Sequence, residues 1–256
     1  MNNVITYEFP LNERIRVFIR IEQLFLQLNH FLTGENIWDK RAAIDTILDI
    51  MMIFSRNDLK SEILKELDRH STTLNLIASN ENVDSNKLNQ ILAELDQISK
   101  KLYSESGKIG ISEMGSDLFQ SIAQRSAIPG GSCSFDIPAF HYWLQQDIQT
   151  QYQEIDRWTK PFNTIRTAID LILDFIRISS PSREKFAEAG FYQQSLEQSQ
   201  PYQLLRISVD KSIACFAEIS GGKHRFSVRF MNPSSDATRP VQTTEDIPFQ
   251  LTCCLF

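Results

Sequence analysis

The sequence predicts an α+β protein that combines a mostly helical domain with an antiparallel β-sheet domain. Apolar residues recur at steps of three and four over most of residues 15–176, which is the spacing of amphipathic helices. After about residue 190 they alternate with polar residues, as is typical of strands. Because the two kinds of element are segregated along the chain, we expect a helical domain over 11–180 and a β-domain formed by 1–10 and 181–256.

The chain is predicted to begin with a strand and to turn into a helix. Residues 4–9 alternate as a short β-like run, and Pro10 and Asn12 then supply a stop and a helix N-cap. The residues that share one face of the following helix, 15–32, are Phe18, Ile21, Phe25, Leu28 and Leu32. We expect the opening strand to join the C-terminal sheet and so to tie the two ends of the chain together.

Further helices are predicted along the middle of the chain. The segments with helical spacing are 37–54, 59–77, 88–102, 117–125 and 162–176. The Gly-rich segment 128–131 breaks this pattern, and Asp136 followed by Pro138 has the form of an N-cap with an early proline. Pro181 ends the last helix.

The C-terminal part predicts strands separated by turns. The segments rich in β-branched and aromatic residues are 202–209, 213–219, 223–231 and 247–254. Ser220, Gly221 and Gly222 supply turn chemistry between two of them. We expect an antiparallel meander of these strands, with the polar segment 232–246 as a loop.

The composition excludes several classes of protein. With 26 basic and 32 acidic residues the net charge is −6, so no overall positive field attracts nucleic acid or an anionic membrane. No stretch approaches the roughly 18 uncharged apolar residues of a membrane span, and the charged N-terminus does not read as a signal peptide. The four cysteines lack the CxxC spacing of zinc or redox sites. We therefore expect a cytoplasmic protein with no membrane insertion, no metal and no cofactor.

The charge is distributed unevenly along the chain. Residues 1–201 hold 20 basic and 27 acidic side chains, whereas 202–256 hold six basic and five acidic ones. The β-domain is therefore positive relative to the helical domain, and any basic surface is expected to be local.

One predicted strand concentrates this positive charge. Strand 223–231 places His224 and three apolar residues on one face and Lys223, Arg225 and Arg229 on the other. Four residues of strand rise put the two arginines about 13 Å apart, which suits an extended acidic peptide. A solvated strand face with solubilising charges is the alternative that spacing alone leaves open.

Candidate catalytic groups are few. His141 lies five residues after Asp136, but no nucleophile elbow, zinc-binding helix or P-loop lysine accompanies them. The Gly-rich segment 128–133 lacks the Lys-Ser/Thr pair of a phosphate-binding loop. Two alternatives to a peptide-binding protein remain at this point. They are a small-molecule enzyme that uses His141 and Asp136, and a nucleic-acid-binding module that uses Arg225 and Arg229.

Several blocks of sequence, taken in order, resemble one known family. They are FPLNE at 9–13, RIE at 20–22, LKELDR at 64–69, IPGGSCSFD at 128–136, HYWL at 141–144, GFYQ at 190–193, KHRFSVRFM at 223–231 and the Cys253-Cys254 ending. The match runs from residue 4 to residue 254 with similar spacing, and the blocks together resemble the ZapD family of bacterial cell-division proteins. The resemblance implies a cytoplasmic, non-enzymatic partner of FtsZ, the tubulin-like GTPase of the division ring.

The resemblance also implies how such a partner works. The family forms a symmetric homodimer through its helical domain, and a positively charged pocket in the β-domain takes the C-terminal tail of FtsZ. The dimer would then cross-link and bundle FtsZ filaments at the division septum. Carried over to this sequence, the pocket residues are Arg56, Arg225 and Arg229, and strand geometry adds Lys223.

Two further positions match residues that the family links to filament bundling. They are Arg20 and His141. One position departs from the pattern, since Asp117 stands where a basic residue is expected in the helical domain. This departure speaks against a second FtsZ contact near Asp117.

Overall fold

The structure is a computed structural model that describes residues 3–56, 58–77, 85–105, 116–233 and 239–256. The chain forms two compact units. One consists of Met1–Phe18 and Ile172–Phe256, and the other of Ile19–Leu171. The second is built from helices and the first mainly from strands, so the predicted α+β class is confirmed.

Eight α-helices lie in the described part of the chain. They are α1 (Glu13–Thr33), α2 (Ile37–Arg56), α3 (Leu59–Ile77), α4 (Ser85–Ser104), α5 (Asp117–Arg125), α6 (Pro138–Leu144), α7 (Ile148–Thr159) and α8 (Asn163–Ile178), with a 3-10 turn at Lys160–Phe162 between the last two. The spacing of apolar residues does not predict α7. This helix buries only Gln151, Ile155 and Trp158 in its twelve residues, so its apolar stripe is too sparse to stand out.

The helical unit buries the apolar faces that the spacing predicts. Ile21, Phe25 and Leu28 of α1 are each at most 2% exposed. Aromatic residues from three helices form part of this core, since the rings of Phe119 and Trp158 lie 4.7 Å apart, and those of Trp143 and Trp158 lie 5.6 Å apart. Such contacts bury a large apolar area per residue and hold short helices that would be unstable alone.

The start of α6 differs in detail from the prediction. Ile137, not Asp136, occupies the N-cap position, and Pro138 is the first helical residue. The Asp136 carboxylate lies 3.9 Å from Nε of Arg125 instead. The proline still starts the helix as expected, because its fixed φ suits the first turn.

Eight strands form two antiparallel sheets within the described residues. They are β1 (Val4–Pro10), β2 (Arg183–Ala187), β3 (Phe191–Ser195), β4 (Leu204–Asp210), β5 (Phe216–Gly221), β6 (Arg225–Asn232), β7 (Val241–Gln242) and β8 (Ile247–Cys254). One sheet has the order β1-β4-β8-β2 and the other β3-β6-β5, with β7 on β6. The expected meander is therefore wrong, because β8 leaves its neighbours in sequence to pair with β4 and β2.

The two sheets share one hydrophobic core. Phe226, Val228 and Phe230 of β6 belong to the same buried cluster as Phe249 and Leu251 of β8. Ring contacts cross between the sheets, for example at 5.3 Å between Phe230 and Phe249. The strand unit is thus a small β-sandwich whose inner faces alternate with outward ones.

The polar segment 232–246 is not loop throughout. It contains β7, whose Gln242 pairs with Met231, while residues 234–238 of this predicted loop lie outside the described residues.

The N-terminal strand joins the C-terminal sheet, as the sequence predicts. β1 pairs with β4 over its whole length, from Val4 opposite Asp210 to Pro10 opposite Leu204. On the outer face of this sheet, Glu8 receives two hydrogen bonds from Arg177, at 2.9 and 2.8 Å, and lies 3.0 Å from Nε of Arg206. The two ends of the chain are therefore tied by both backbone and side-chain contacts.

Candidate functional site

β6 presents the alternation that the sequence predicts. Phe226, Val228 and Phe230 are at most 1% exposed, whereas Arg225 and Arg229 are exposed on the opposite face. Because side chains alternate along a strand, burial of the apolar residues fixes both arginines outward. The two Cα atoms lie about 13 Å apart along the strand.

Lys223 and His224 are placed differently from the prediction. The strand begins at Arg225, and both residues lie in the turn that links β5 to β6. Gly222 donates a backbone hydrogen bond to the carbonyl oxygen of Arg225 at 3.0 Å, which closes this turn before Lys223 could enter the ladder. His224 is exposed and does not join the apolar face of the strand.

A cleft of about 500 Å³ lies at this hairpin. Its lining residues include Gln193, Ser220, Lys223, His224, Arg225 and Ser227. We call it the hairpin cleft, and we call Lys223, Arg225 and Arg229 the basic strip. Two members of the strip line the cleft, and Arg229 lies outside it, farther along the same face of β6.

Arg229 has mixed neighbours on the outward face. Phe191 of β3 lies directly opposite it on one side and Glu218 of β5 on the other. Phe191 is 38% exposed and offers an apolar surface next to the guanidinium group. Glu218 places a carboxylate beside the basic strip and interrupts its positive potential at that point.

The cations of the strip are available to a ligand. Throughout the part of the chain that the structure describes, the side chains of Lys223, Arg225 and Arg229 form neither a hydrogen bond nor an ion pair. A guanidinium group without a protein partner can use all its N–H donors to bind a carboxylate of a ligand. The arrangement suits a short acidic segment laid along β6, with apolar contacts near Phe191.

The comparisons with known proteins point to one family. A family model described as ZapD, cell division protein, matches residues 19–229. A protein of Methylococcus capsulatus named Cell division protein ZapD is 46% identical over 255 residues and covers all of both chains. Proteins of the same name from Ralstonia nicotianae and Chromobacterium violaceum are 38% and 32% identical, each over 99% of this chain and 100% of the relative.

The chain belongs to the ZapD family of cell-division proteins.

Membership of the ZapD family gives a role in cell division, as the resemblance of the sequence blocks implied. The relatives carry the name of a cell-division protein and not of an enzyme. Among the helices of the described residues, none combines the length and the apolar composition needed to cross a bilayer.

The remaining predicted site residues of this ZapD-family chain lie in the helical unit. Arg56 is the last residue of α2, and its side chain lies outside the described residues. Arg20 is exposed on α1 and His141 is exposed on α6. Asp117, the first residue of α5, is exposed as well. It stays a prediction that Arg56 belongs to the tail pocket. It likewise stays a prediction that Arg20 and His141 contribute to bundling.

The geometry does not assemble a catalytic pair from His141 and Asp136. No hydrogen bond joins their side chains among the described residues, and Asp136 faces Arg125 instead. In the same described ranges, no three His, Cys, Asp or Glu side chains are grouped closely enough to hold a metal ion. The Gly-rich segment is held by Arg41, which donates hydrogen bonds to the carbonyl oxygen and the hydroxyl oxygen of Ser132. These hydrogen bonds anchor the Gly-rich segment, which precedes α6, to α2.

Proposed function

We propose that this protein binds the C-terminal tail of FtsZ through the basic strip and, as a homodimer formed by its helical domain, cross-links FtsZ filaments at the division septum in the cytoplasm. The observation that carries the proposal is the pair of guanidinium groups of Arg225 and Arg229, which have no hydrogen-bond or ion-pair partner among the described residues and lie on an exposed sheet face beside the hairpin cleft. Family membership supports the choice of a division protein as the partner.

The chemistry of the strip favours a short acidic and apolar peptide. Carboxylates of the tail accept charge-assisted hydrogen bonds from Arg225 and Arg229, and Arg is suited to this because its fork matches a carboxylate. An apolar residue of the tail packs on Phe191, which is exposed directly opposite Arg229. A duplex nucleic acid would need a longer basic surface, and Glu218 interrupts this one.

Bridging follows from two such sites on one dimer. A single weak site would only decorate a filament, whereas a second site held nearby binds at an effective concentration of about millimolar. A twofold dimer presents two copies of the strip and can therefore engage tails from two filaments.

The primary test is co-sedimentation with polymerised FtsZ, with and without the FtsZ tail. We expect the protein to pellet with full-length filaments and to increase light scattering by bundling them. Filaments that lack the tail should leave it in the supernatant. Equal pelleting with both forms of FtsZ would refute the tail as the binding determinant.

Charge-reversal variants test the strip itself. Arg225→Glu and Arg229→Glu should each weaken tail binding by about 2 kcal/mol or more, roughly 30-fold, because each removes a charge-assisted contact and adds repulsion. The matched control is Lys211→Glu. Lys211 is exposed and lies in the turn before β5, whereas the hairpin cleft lies at the other end of β5. This substitution makes the same change in net charge and should leave binding within twofold.

Bundling and binding are separated by a monovalent readout. Anisotropy of a labelled tail peptide reports binding to one strip, whereas light scattering reports bridging. If a folded Arg225→Glu protein bundled filaments as well as the unsubstituted protein does, the basic strip would not be the site that binds FtsZ.

A further inference from the structure

The β-sandwich contains a second cavity, separate from the hairpin cleft. It encloses about 280 Å³ next to the inner side of β2. The residues that line it are Ser179, Ser180, Pro181, Arg183, Lys185, Gln194, Tyr202, Leu251, Cys253 and Leu255. They come from the segment after α8 and from β2, β3, β8 and the chain on either side of them.

The register of β2 directs two cations toward this cavity. Arg183 pairs with Leu251 and Lys185 with Phe249, so both share the face of the sheet that carries the buried core residues. Lys185 is half-buried and Arg183 is exposed at the edge strand. Two like charges on one strand, about 7 Å apart, repel each other unless an anion lies between them.

The cavity offers several hydrogen-bond donors and no carboxylate. Neither Arg183 nor Lys185 has a side-chain hydrogen bond or an ion pair within the described residues, and the hydroxyl group of Tyr202 is likewise without a partner there. Gln194 accepts a hydrogen bond at Oε1 from Tyr192 at 2.6 Å, which leaves its Nε2 group free to donate. Glu184, the acidic residue of β2, lines a different cavity, whose lining also includes Lys185 and Asp210.

The thiol that faces these cations does not compensate their charge. Burial raises the pKa of Cys253, although Arg183 and Lys185 act in the opposite direction. The thiol therefore stays neutral near pH 7 and does not offset either positive charge. The same cavity thus combines an excess of positive charge with an excess of donors.

We propose that this cavity binds a phosphate group, either as free phosphate or as a small phosphate monoester. Arg183 offers a planar fork for two phosphate oxygens, and Lys185 supplies a second charge from the same strand. The volume of about 280 Å³ lies just below the range of roughly 300–1,000 Å³ typical of sites for drug-sized ligands, so it suits a phosphate group and not a whole nucleotide. The hydroxyl group of Tyr202 and the amide of Gln194 complete the donor set.

The test is isothermal titration of the full chain with inorganic phosphate and, in a second arm, with glycerol phosphate. Chloride is adjusted to keep the ionic strength constant. We expect saturable binding of one phosphate per chain. Tighter binding of the inorganic ion supports free phosphate as the ligand, and tighter binding of the ester supports a monoester.

Matched variants locate the site. Arg183→Gln and Lys185→Gln should each weaken phosphate binding at least tenfold, and Tyr202→Phe should weaken it about threefold while keeping the ring in place. Lys211→Gln is the control for loss of a positive charge and should bind as the unsubstituted protein does. Thermal unfolding in chloride should show that each variant is folded, since removing one of two repelling cations costs no stability.

Two results would overturn the proposal. One is the absence of saturable binding of either compound to the unsubstituted protein. The other is full binding by the folded Arg183→Gln and Lys185→Gln variants, which would place the ion elsewhere. Because FtsZ is absent from this experiment, its outcome is independent of the proposed tail binding.

Discussion

Removing the negative charge of Glu218 should strengthen binding of the acidic tail. Glu218 is the residue of β5 directly opposite Arg229, on the outward face that carries Arg225. A carboxylate of the tail that bound Arg229 would also be repelled by Glu218. Glu218→Gln keeps the size and polarity of the side chain and removes only this repulsion, so a gain in affinity is not explained by damage to the fold.

The size of the effect follows from the register. Side chains directly opposite in neighbouring strands have Cβ atoms about 5 Å apart, so a carboxylate bound to Arg229 lies about 7 Å from that of Glu218. Coulomb repulsion at this distance, with an effective dielectric constant between 20 and that of water and screening at physiological salt, is about 0.25 to 1 kcal/mol. This corresponds to a roughly 1.5- to fivefold lower Kd.

The assay is fluorescence anisotropy of a labelled FtsZ tail peptide at low and at physiological salt. The gain from Glu218→Gln should shrink as salt is added, because the repulsion is screened over a Debye length of about 8 Å at 0.15 M. Glu184→Gln is the matched control, since Glu184 lies on β2 in the other sheet. A peptide affinity that is unchanged by Glu218→Gln, or raised equally by Glu184→Gln, would refute the placement of the tail along β6 beside Arg229.

Two further predictions concern stability. Glu8→Ala should lower the free energy of unfolding of the β-sandwich by about 3 kcal/mol in urea denaturation, because it leaves the half-buried Arg177 and Arg206 without the carboxylate between them. Burial lowers the pKa of His70, and the contact with Glu66, which raises it, offsets only part of this effect. The unfolded chain therefore binds a proton at this histidine more readily than the folded chain does. Stability should therefore fall as pH drops below the ordinary His pKa of about 6.5, by up to about 1.4 kcal/mol per pH unit, and His70→Gln should flatten this slope.

Each stability prediction has its control in the same chain. Glu188→Ala changes an exposed glutamate and should leave unfolding within about 0.5 kcal/mol. His30→Gln changes an exposed histidine and should keep the pH slope of the unsubstituted protein. An equal loss from Glu188→Ala, or an unchanged slope in His70→Gln, would contradict the respective argument.

The features that sequence reading found are those that local periodicity determines. The face of β6 that carries Arg225 and Arg229 follows from alternation with three apolar residues, whatever the strand pairs with. The apolar faces of α1 and the long helices follow in the same way from a repeat of 3.6 residues. The family was also accessible, because it rests on blocks of residues in order and not on contacts.

The features that sequence reading missed depend on partners distant in the chain. β2 carries Arg183 and Lys185 on the face that a strand pattern expects to be apolar, so its alternation is hidden until β8 pairs with it. The expected meander failed for a related reason, since pairing of β8 with β4 and β2 places its apolar residues in the core shared with the other sheet, and local sequence does not encode that choice. The hairpin turn likewise removed Lys223 from its predicted strand.

The sequence by itself determined the α+β class, the family and the outward direction of the two arginines, because each of these depends on patterns among residues close together in the chain. Only the tertiary structure decided that Glu218 faces Arg229 and that Arg183, Lys185 and Tyr202 line one cavity. The register of Glu218 with Arg229 depends on where the turn after Gly221 closes the β5–β6 hairpin, and the cavity forms where strands far apart in sequence share a buried core. The alternation within a single strand specifies neither arrangement.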